Sequence, residues 1–432
     1  MHSGYFLRLL YSIILYLLAP FVLLRLLWLG RSNREYWHGW SERFGFNHII
    51  PTPQPLIWIH AVSVGEVKAA SSLVNRLGIS YPDHCILVTT VTATGAAITR
   101  QIFGEKVLHY YLPYDLPHAI SRFIDAIRPE VLIVMETEIW PNLYHYCRNR
   151  GISIVLVNAR LSERSYRGYT SLAVFFRQVL RNVSVIAAQT EEDGHRFTGI
   201  GGDPGRIYVT GNIKFDVTPA HCTSAEGEAI RAWLSSQRPV WIAASTHEGE
   251  ERLLLEAHKR ILGQRPDCLL IIAPRHPERF HRVIGLVSDS GLLVVSRSSA
   301  VQVQSEVQVF VLDSMGELPV FYAASDLAFV GGSLLPSGGH NVLEPAMAGI
   351  PIVTGTHTEN FREITRLLAD AGALLRIRDV NELAGQVMRL FADAELRQGM
   401  GQAGRKVVEQ NRGSVDRVMD LIREHMPVRT AV

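Results

Sequence analysis

One pattern recurs along this chain and limits its fold more than any other feature. A short, wholly apolar run ends, a polar turn follows, and a helical pattern begins. In the first half the runs are LIWIHA (56–61), CILVTTV (85–91), VLIVM (131–135), ISIVLV (152–157) and VSVIAA (183–188). In the second half they are PVWIAA (239–244), CLLIIA (268–273), VFVL (309–312), DLAFVG (326–331) and PIVTG (351–355). Runs apolar at every position, not at alternate ones, are strands buried on both faces. Alternating with helices, they predict parallel sheets covered on each side. A chain of 432 residues is too long for one ordinary core. The segment GNIKFDVTPAHCTSAEGEAI, within 210–238, carries turn residues and little periodicity, so the halves divide there.

The expected fold class is therefore α/β: two doubly wound, Rossmann-like domains facing across a cleft, the GT-B architecture, behind an N-terminal anchor helix. The expected spans are 1–32 for the anchor, 33–215 for an N-terminal α/β domain and 216–432 for a C-terminal one. In doubly wound sheets ligands bind past the carboxyl ends of the strands.

The anchor is read from LLYSIILYLLAPFVLL, an uncharged stretch between Arg8 and Arg25. With Tyr5 and Phe6 before it and Leu26 to Trp28 after it, residues about 5–28 are long enough to cross a bilayer. Arg31, Arg34 and Arg43 follow, against Glu35 and Glu42. That bias predicts a single-pass signal anchor with the remaining chain on the cytoplasmic face. A cleaved signal peptide and a buried helix are the other readings of such a stretch, and no small-residue cleavage site is evident.

Net charge is +2, which excludes a nucleic-acid footprint. The cysteines, Cys85, Cys147, Cys222 and Cys268, form no CxxC pair, so reduced thiols in a cytoplasmic compartment fit best. No HxxH or HExxH spacing appears among the seventeen histidines, and no metal site is assigned.

Polar residues collect after the apolar runs, in SVGE (63–66), ETEIWPN (136–142), NARLSERS (158–165), STHEGEE (245–251), PRHPERF (274–280), DSMGEL (313–318) and GGSLLPSGGHNVLEP (331–345). Ser63–Glu66, Ser245–Glu248, Ser314–Glu317 and Asn341–Glu344 all have capping-box spacing, so each glutamate has a structural reading as a helix cap. Several helix starts on one cleft would also favour an anionic ligand. The paired glycines of 331–345 permit close backbone approach, as in a phosphate cradle or in a plain tight turn. Arg275 directly follows a strand and could grip a phosphate, or sit at the surface beside Glu278. His276, between prolines, shapes a turn. Glu136 and Glu138 should alternate across the strand end, with Glu136 facing the cleft and Glu138 structural or acceptor-binding.

Together, HAVSVGE, ETEIWPN, NARLSERS, GNIKFD, PRHPERF, DSMGEL and GGSLLPSGGHNVLEP resemble the motifs of the 3-deoxy-D-manno-octulosonic acid (Kdo) transferases of Gram-negative bacteria, in order along nearly the whole chain. The resemblance implies an inverting glycosyltransferase of lipopolysaccharide biosynthesis. It would move Kdo from CMP-β-Kdo to the glucosamine disaccharide of a lipid A precursor, lipid IVA, without a metal or other cofactor. It implies Glu66 as general base, with Glu136 and Lys214 stabilising the transition state. It also implies Pro274, Arg275, Met315, Gly316, Glu317, Asn341, Val342, Leu343 and Glu344 as binders of the CMP moiety. The acceptor would belong to the N-terminal domain and the donor to the C-terminal one.

Chemistry fits these roles. An inverting transfer needs a base for the acceptor hydroxyl and a holder for the departing phosphate. The helix dipole at Glu66 should favour its ionised form. A lysine in the interdomain linker is commonly solvated, and only the resemblance gives Lys214 a task. Segment 160–181, with Arg160, Arg164, Arg167, Arg177 and Arg181 around SLAVFF, reads as a basic-rimmed apolar helix for an anionic bilayer, or as an ordinary helix with a core face. The alternatives are a GT-B enzyme using a UDP-sugar on a membrane lipid, a GT-B-fold nucleotide-sugar epimerase, or a catalytically silent scaffold.

Overall fold

The apolar runs do become strands, and their side chains split between two opposite cores. In a computed structural model that describes residues 2–32, 39–46, 52–216, 224–235 and 237–427, Ile57 and Ile59 enter one hydrophobic cluster while Leu56 and Trp58 enter another. Each sheet face carries its own layer of helices, so every residue of a central strand needs an apolar side chain.

The first sheet is built from β1 (Leu56–His60), β2 (Cys85–Thr90), β3 (Leu108–Tyr111), β4 (Val131–Met135), β5 (Ser153–Ala159), β6 (Val185–Ala188) and β7 (Ile207–Val209). Its order is β3-β2-β1-β4-β5-β6-β7, parallel throughout. The second comprises β8 (Val240–Thr246), β9 (Leu269–Pro274), β10 (Val294–Ser296), β11 (Val309–Val311), β12 (Leu327–Val330), β13 (Ile352–Thr354) and β14 (Leu374–Arg376). Its order is β10-β11-β9-β8-β12-β13-β14, again parallel. The topological switch points lie between β1 and β4 in one sheet and between β8 and β12 in the other. Doubly wound folds open a crevice at such points.

The chain forms two compact units, Met1–Val217 with Arg412–Val432, and Thr218–Asn411. The sequence assigned 216–432 to one domain. Instead, the last helix, Ser414–His425, returns to the first unit. Val418 and Ile422 join the same apolar cluster as Ile57 and Val67, and Asp216 accepts hydrogen bonds from Gly413 N and Val415 N. The supposed linker is likewise mostly structured. Ile213–Asp216 is a 3-10 turn of the first unit, and Ser224–Leu234 is a helix of the second. Residues 217–223, Cys222 among them, lie outside the described residues, as do Arg34 and Glu35. Cys85, Cys147 and Cys268 are free thiols.

The N-terminal helix runs His2–Ser32, and its Phe6–Trp28 portion has a mean hydropathy of 2.1, enough by length and composition to cross a membrane. Arg43, counted above among the flanking charges, belongs to the first unit's interior. It is 2% exposed, donates to Val91 O, and its guanidinium lies 4.2 Å from the Tyr111 ring centroid. Segment 160–181 is two short helices, Glu163–Thr170 and Ala173–Leu180, where one had been expected. Leu172 and Val174 are exposed, whereas Phe175 packs partly against the core.

Candidate active site

At the first switch point the chain leaves β1 through Ala61 and Val62 and enters the helix Val64–Ser80. Glu66 stands in its first turn and is 7% exposed. Its carboxylate accepts from Val62 N at 2.8 Å and from Ser63 Oγ at 2.9 Å. The sequence expected the helix dipole to hold this group ionised. Burial outweighs the dipole and those two donors, and with the charges of Glu138 and Glu136 nearby the carboxyl is pushed up to about 7. That is a base matched to neutral pH, able to take a proton that an ordinary carboxylate would not hold.

Glu136 follows β4 with φ +55°, left-handed backbone that a non-glycine residue adopts at a cost of about 1 kcal/mol or more. This reversal ends the strand at Met135, so strand alternation no longer governs the next residues. Glu136 and Glu138 both act electrostatically on Glu66. Glu138 is raised by burial and by Glu136, and it accepts from Trp140 Nε1 at 3.0 Å. Glu136 bridges two cations, Arg160 Nε at 3.0 Å and Lys214 Nζ at 3.5 Å.

Lys214 is not a solvated linker lysine. Its side chain is only 20% exposed, within a turn fixed from both ends. Asn158, buried and left-handed at φ +57°, accepts from Ile213 N, and Asn212 accepts from Lys214 N. Ile213 and Phe215 plug the core and Asp216 holds the last helix. GNIKFD thus uses nearly every side chain to present one ammonium to Glu136.

At the second switch point the Gly-rich turn after β12 is occupied by the protein itself. The buried carboxylate of Glu250 accepts from Gly332 N, Ser333 N and Leu334 N, and from His247 N. A phosphate cradle expected at Gly331–Gly332 is therefore filled from within. A Cβ on Gly331 would lie 2.8 Å from Glu250 Oε2 and 2.7 Å from Ser245 O, which accounts for the glycine. Gly338 and Gly339 likewise press against Asn360 and His357–Thr358.

Farther along, Asn341 accepts from Leu343 N and donates to Glu344 at 3.0 Å, at the start of the helix Leu343–Ala348. Burial raises Glu344, and the nearby Arg275 charge opposes that rise. Arg275, just past β9, is thus within electrostatic reach of Glu344 in the helix Leu343–Ala348. Arg275 has no hydrogen bond or ion pair to its guanidinium among the described residues, and Pro274 is the last residue of β9. Glu278 lies 3.9 Å from His276, not beside Arg275, while Arg279 grips the buried Glu251 with contacts of 2.7 and 3.0 Å. Glu317 is paired with Arg297 at 2.8 Å, which holds it below the ordinary carboxylate range, and Arg297 lies 5.5 Å from the Trp233 ring centroid. Met315 is 63% exposed and Gly316 takes φ +88°, so the tip of this turn is open.

None of the four expected capping boxes forms as such. The helices begin at Ser63, Gly249, Glu317 and Val342, all without a side-chain cap. In three of them the polar pair exists but its members bond each other, as in Ser63–Glu66, Ser314–Glu317 and Asn341–Glu344. Those glutamates are freed from capping duty. Sequence reasoning missed Glu250, Arg297 and the close pair His247–His340, whose Nε2 atoms are 2.6 Å apart. Burial lowers His247. Among the described residues no group of three or more His, Cys, Asp or Glu is arranged to hold a metal.

Known proteins resemble this chain over nearly its whole length. The family described as "3-Deoxy-D-manno-octulosonic-acid transferase (kdotransferase)" matches residues 38–217, and "Glycosyl transferases group 1" matches 244–407. A 3-deoxy-D-manno-octulosonic acid transferase of Haemophilus influenzae is 40% identical over 97% of this chain and 99% of its own. The chain belongs to the Kdo transferase family. Another member, from Bordetella pertussis, is 35% identical over 96% of this chain and 98% of its own. Among solved structures, a UDP-GlcNAc 2-epimerase from Neisseria meningitidis is 13% identical with a TM-score of 0.56, covering 86% of this chain and all of that one. MurG from Acinetobacter baumannii is 12% identical with a TM-score of 0.56 over the same shares. These two show the fold alone, the GT-B pairing of Rossmann-like units that this Kdo transferase family member also has.

Proposed function

We propose that this chain transfers Kdo from CMP-β-Kdo to the glucosamine disaccharide of lipid IVA, with inversion at the anomeric carbon, in lipopolysaccharide biosynthesis. Kinship with the Kdo transferases over 97% of the chain carries the reading. The chemistry of Glu66 supports it. The acceptor hydroxyl gives its proton to Glu66 as its oxygen bonds to C2 of Kdo, and the C2–O bond to the CMP phosphate breaks. A carboxyl poised near 7 is ionised enough to begin that step and basic enough to keep the proton.

The ring carbon gathers positive character while the phosphate gathers negative charge. Lys214, held by Glu136, supplies an oriented cation for the developing anion. In the second unit, Arg275 meets the CMP phosphate. Pro274, Met315, Gly316, Glu317 and Asn341 through Glu344 line the nucleotide. No step needs a metal.

The acceptor is a membrane lipid, so the enzyme works at the cytoplasmic face of the inner membrane. The apolar N-terminal helix and the basic segment 160–181 hold the first unit there. Purified enzyme incubated with CMP-Kdo generated in situ and tetraacyl lipid A precursor should yield products heavier by one Kdo residue or more in the mass spectrum. Transfer from UDP-sugars and none from CMP-Kdo would sink the reading.

A further inference from the structure

The N-terminal helix has two faces that its sequence does not announce. Ser12 and Leu26 are buried and Arg8, Leu15, Ala19 and Val22 half-buried, a series spaced in steps of three and four. That spacing is one stripe of an α-helix, continued for five turns. The stripe lies along the first unit. Arg8 and Ser12 bond the Asn142 side chain at 3.0 and 3.2 Å, Tyr11 donates to the buried Asp115 at 3.0 Å, and Tyr16 meets His118 at 2.6 Å. Asp115 also accepts from Asn142 N and Leu143 N, so the contact is tied into the start of the helix Pro141–Asn149. On the opposite face, Phe6, Leu10, Leu17, Phe21, Leu24 and Trp28 are between 45 and 68% exposed.

Packing along a domain and spanning a bilayer exclude each other here. From Arg8 to Leu26 the helix measures about 27 Å, nearly the full hydrocarbon thickness. If it stood upright, the surface it touches would be drawn into hydrocarbon with it, including Asn142, His118 and the neighbouring Arg122. Each charged group placed at mid-bilayer costs several kcal/mol. If the helix lies flat, only its apolar face enters, to a depth of roughly 5–10 Å.

The geometry points to a monotopic attachment: the N-terminal helix lies in the plane of the membrane as a keel of the first unit, with its exposed face in the cytoplasmic leaflet. This rests on the membrane attachment proposed above and replaces a single-pass anchor. The occupant of the apolar face is an anionic lipid leaflet. The helix Ala173–Leu180 packs beside the keel, with Tyr11 and Phe175 rings 5.9 Å apart, and leaves Leu172 and Val174 exposed. Arg164, Arg167, Arg177 and Arg181 are all exposed around them, a basic rim suited to anionic headgroups.

Two measurements on the full chain in a Gram-negative host test this. In the first, Ser3→Cys is treated with an impermeant polyethylene-glycol maleimide in intact spheroplasts and after lysis. A flat helix keeps residue 3 on the cytoplasmic side, so the thiol should react only after lysis. Reaction in intact spheroplasts would overturn the inference. In the second, Ser12→Cys with Asn142→Cys is oxidised in native membranes and analysed by mass spectrometry. The disulfide-linked peptide is expected, and its absence in folded, active enzyme would equally overturn the flat placement. If the wild-type chain instead sediments with the soluble fraction as a dimer and ignores anionic vesicles, the face belongs to a second copy and the membrane reading itself fails. That outcome is distinct from an anchor that spans.

Discussion

The matching strands β1 and β8 are followed by the buried carboxylates Glu66 and Glu250, and the two units treat them in opposite ways. At the β1/β4 switch point, Glu66 is buried and Glu138 half-buried, each with too few donors, and both rise above the ordinary carboxylate range. At the β8/β12 switch point, Glu250 and Glu251 are buried completely and wholly consumed, one by backbone N–H groups and the other by Arg279. Under-solvated carboxylates store proton affinity, while saturated ones build a rigid loop and leave Arg275 unclaimed. The first unit thus holds a carboxyl that exchanges its proton near neutral pH, and the second a turn preorganised by a buried carboxylate.

The sharpest way to break this contrast is Glu66→Gln. Loss of the base should cut kcat/KM about a thousandfold, while CMP binding measured by calorimetry stays unchanged. Glu250→Ala should do the reverse of a catalytic lesion. It strands several buried backbone donors, so thermal unfolding of the second unit should lose about 3 kcal/mol or more. A variant that melts like wild type would show that the turn does not depend on that carboxylate. Arg275→Ala should raise the KM for CMP-Kdo roughly ten- to a hundredfold, the worth of a charge-assisted contact, with little change in melting.

The pH dependence sharpens the comparison further. The base must be ionised, so kcat/KM should climb with pH and level off above about 7. Glu138→Gln removes a charge that raises Glu66, so the acid limb should move to lower pH. A limb that stays put would mean that Glu138 does not act on the base. The smallest effect concerns stability. Glu66 has a folded value above its unfolded one near 4.3, so its ionised form penalises folding, fully above about 7 and not at all below about 4. At pH 8, Glu66→Gln should therefore stabilise the first unit, by on the order of 1 kcal/mol, in a melt read beside its activity loss.

Much of the fold was legible, and the part that was not has a common cause. The strands absent from the apolar pattern are β3, β7, β10 and β14, and these are the outer strands of the two sheets. An edge strand is half-exposed, as Leu108–Tyr111 and Ile207–Val209 are, so it lacks the wholly apolar run that marks a central strand. At the sites, the sequence singled out Glu66 and Arg275 by the polar clusters they lie in, and Lys214 only through the resemblance. It could not foresee the left-handed turn at Glu136, which undoes the alternation argument, because φ is set by the turn and not by the residue type. Nor could it foresee Glu250, three of whose four backbone donors lie 82 to 84 residues away in sequence. Spacing rules see one helix turn, whereas a buried carboxylate finds its donors in space. Arg43 misled for the same reason: a charge counted as a membrane flank is consumed by a carbonyl and a ring inside the domain.

The return of Ser414–His425 to the first unit has an effect on the order of assembly. The half bearing Glu66 and Lys214 cannot close until Val418 and Ile422 have left the ribosome, long after its own strands have emerged. The other half is complete by Asn411 and can fold while still tethered. A premature stop that removes only the final turns would therefore spare the second unit and cripple the first, which carries Glu66, from the opposite end of the gene.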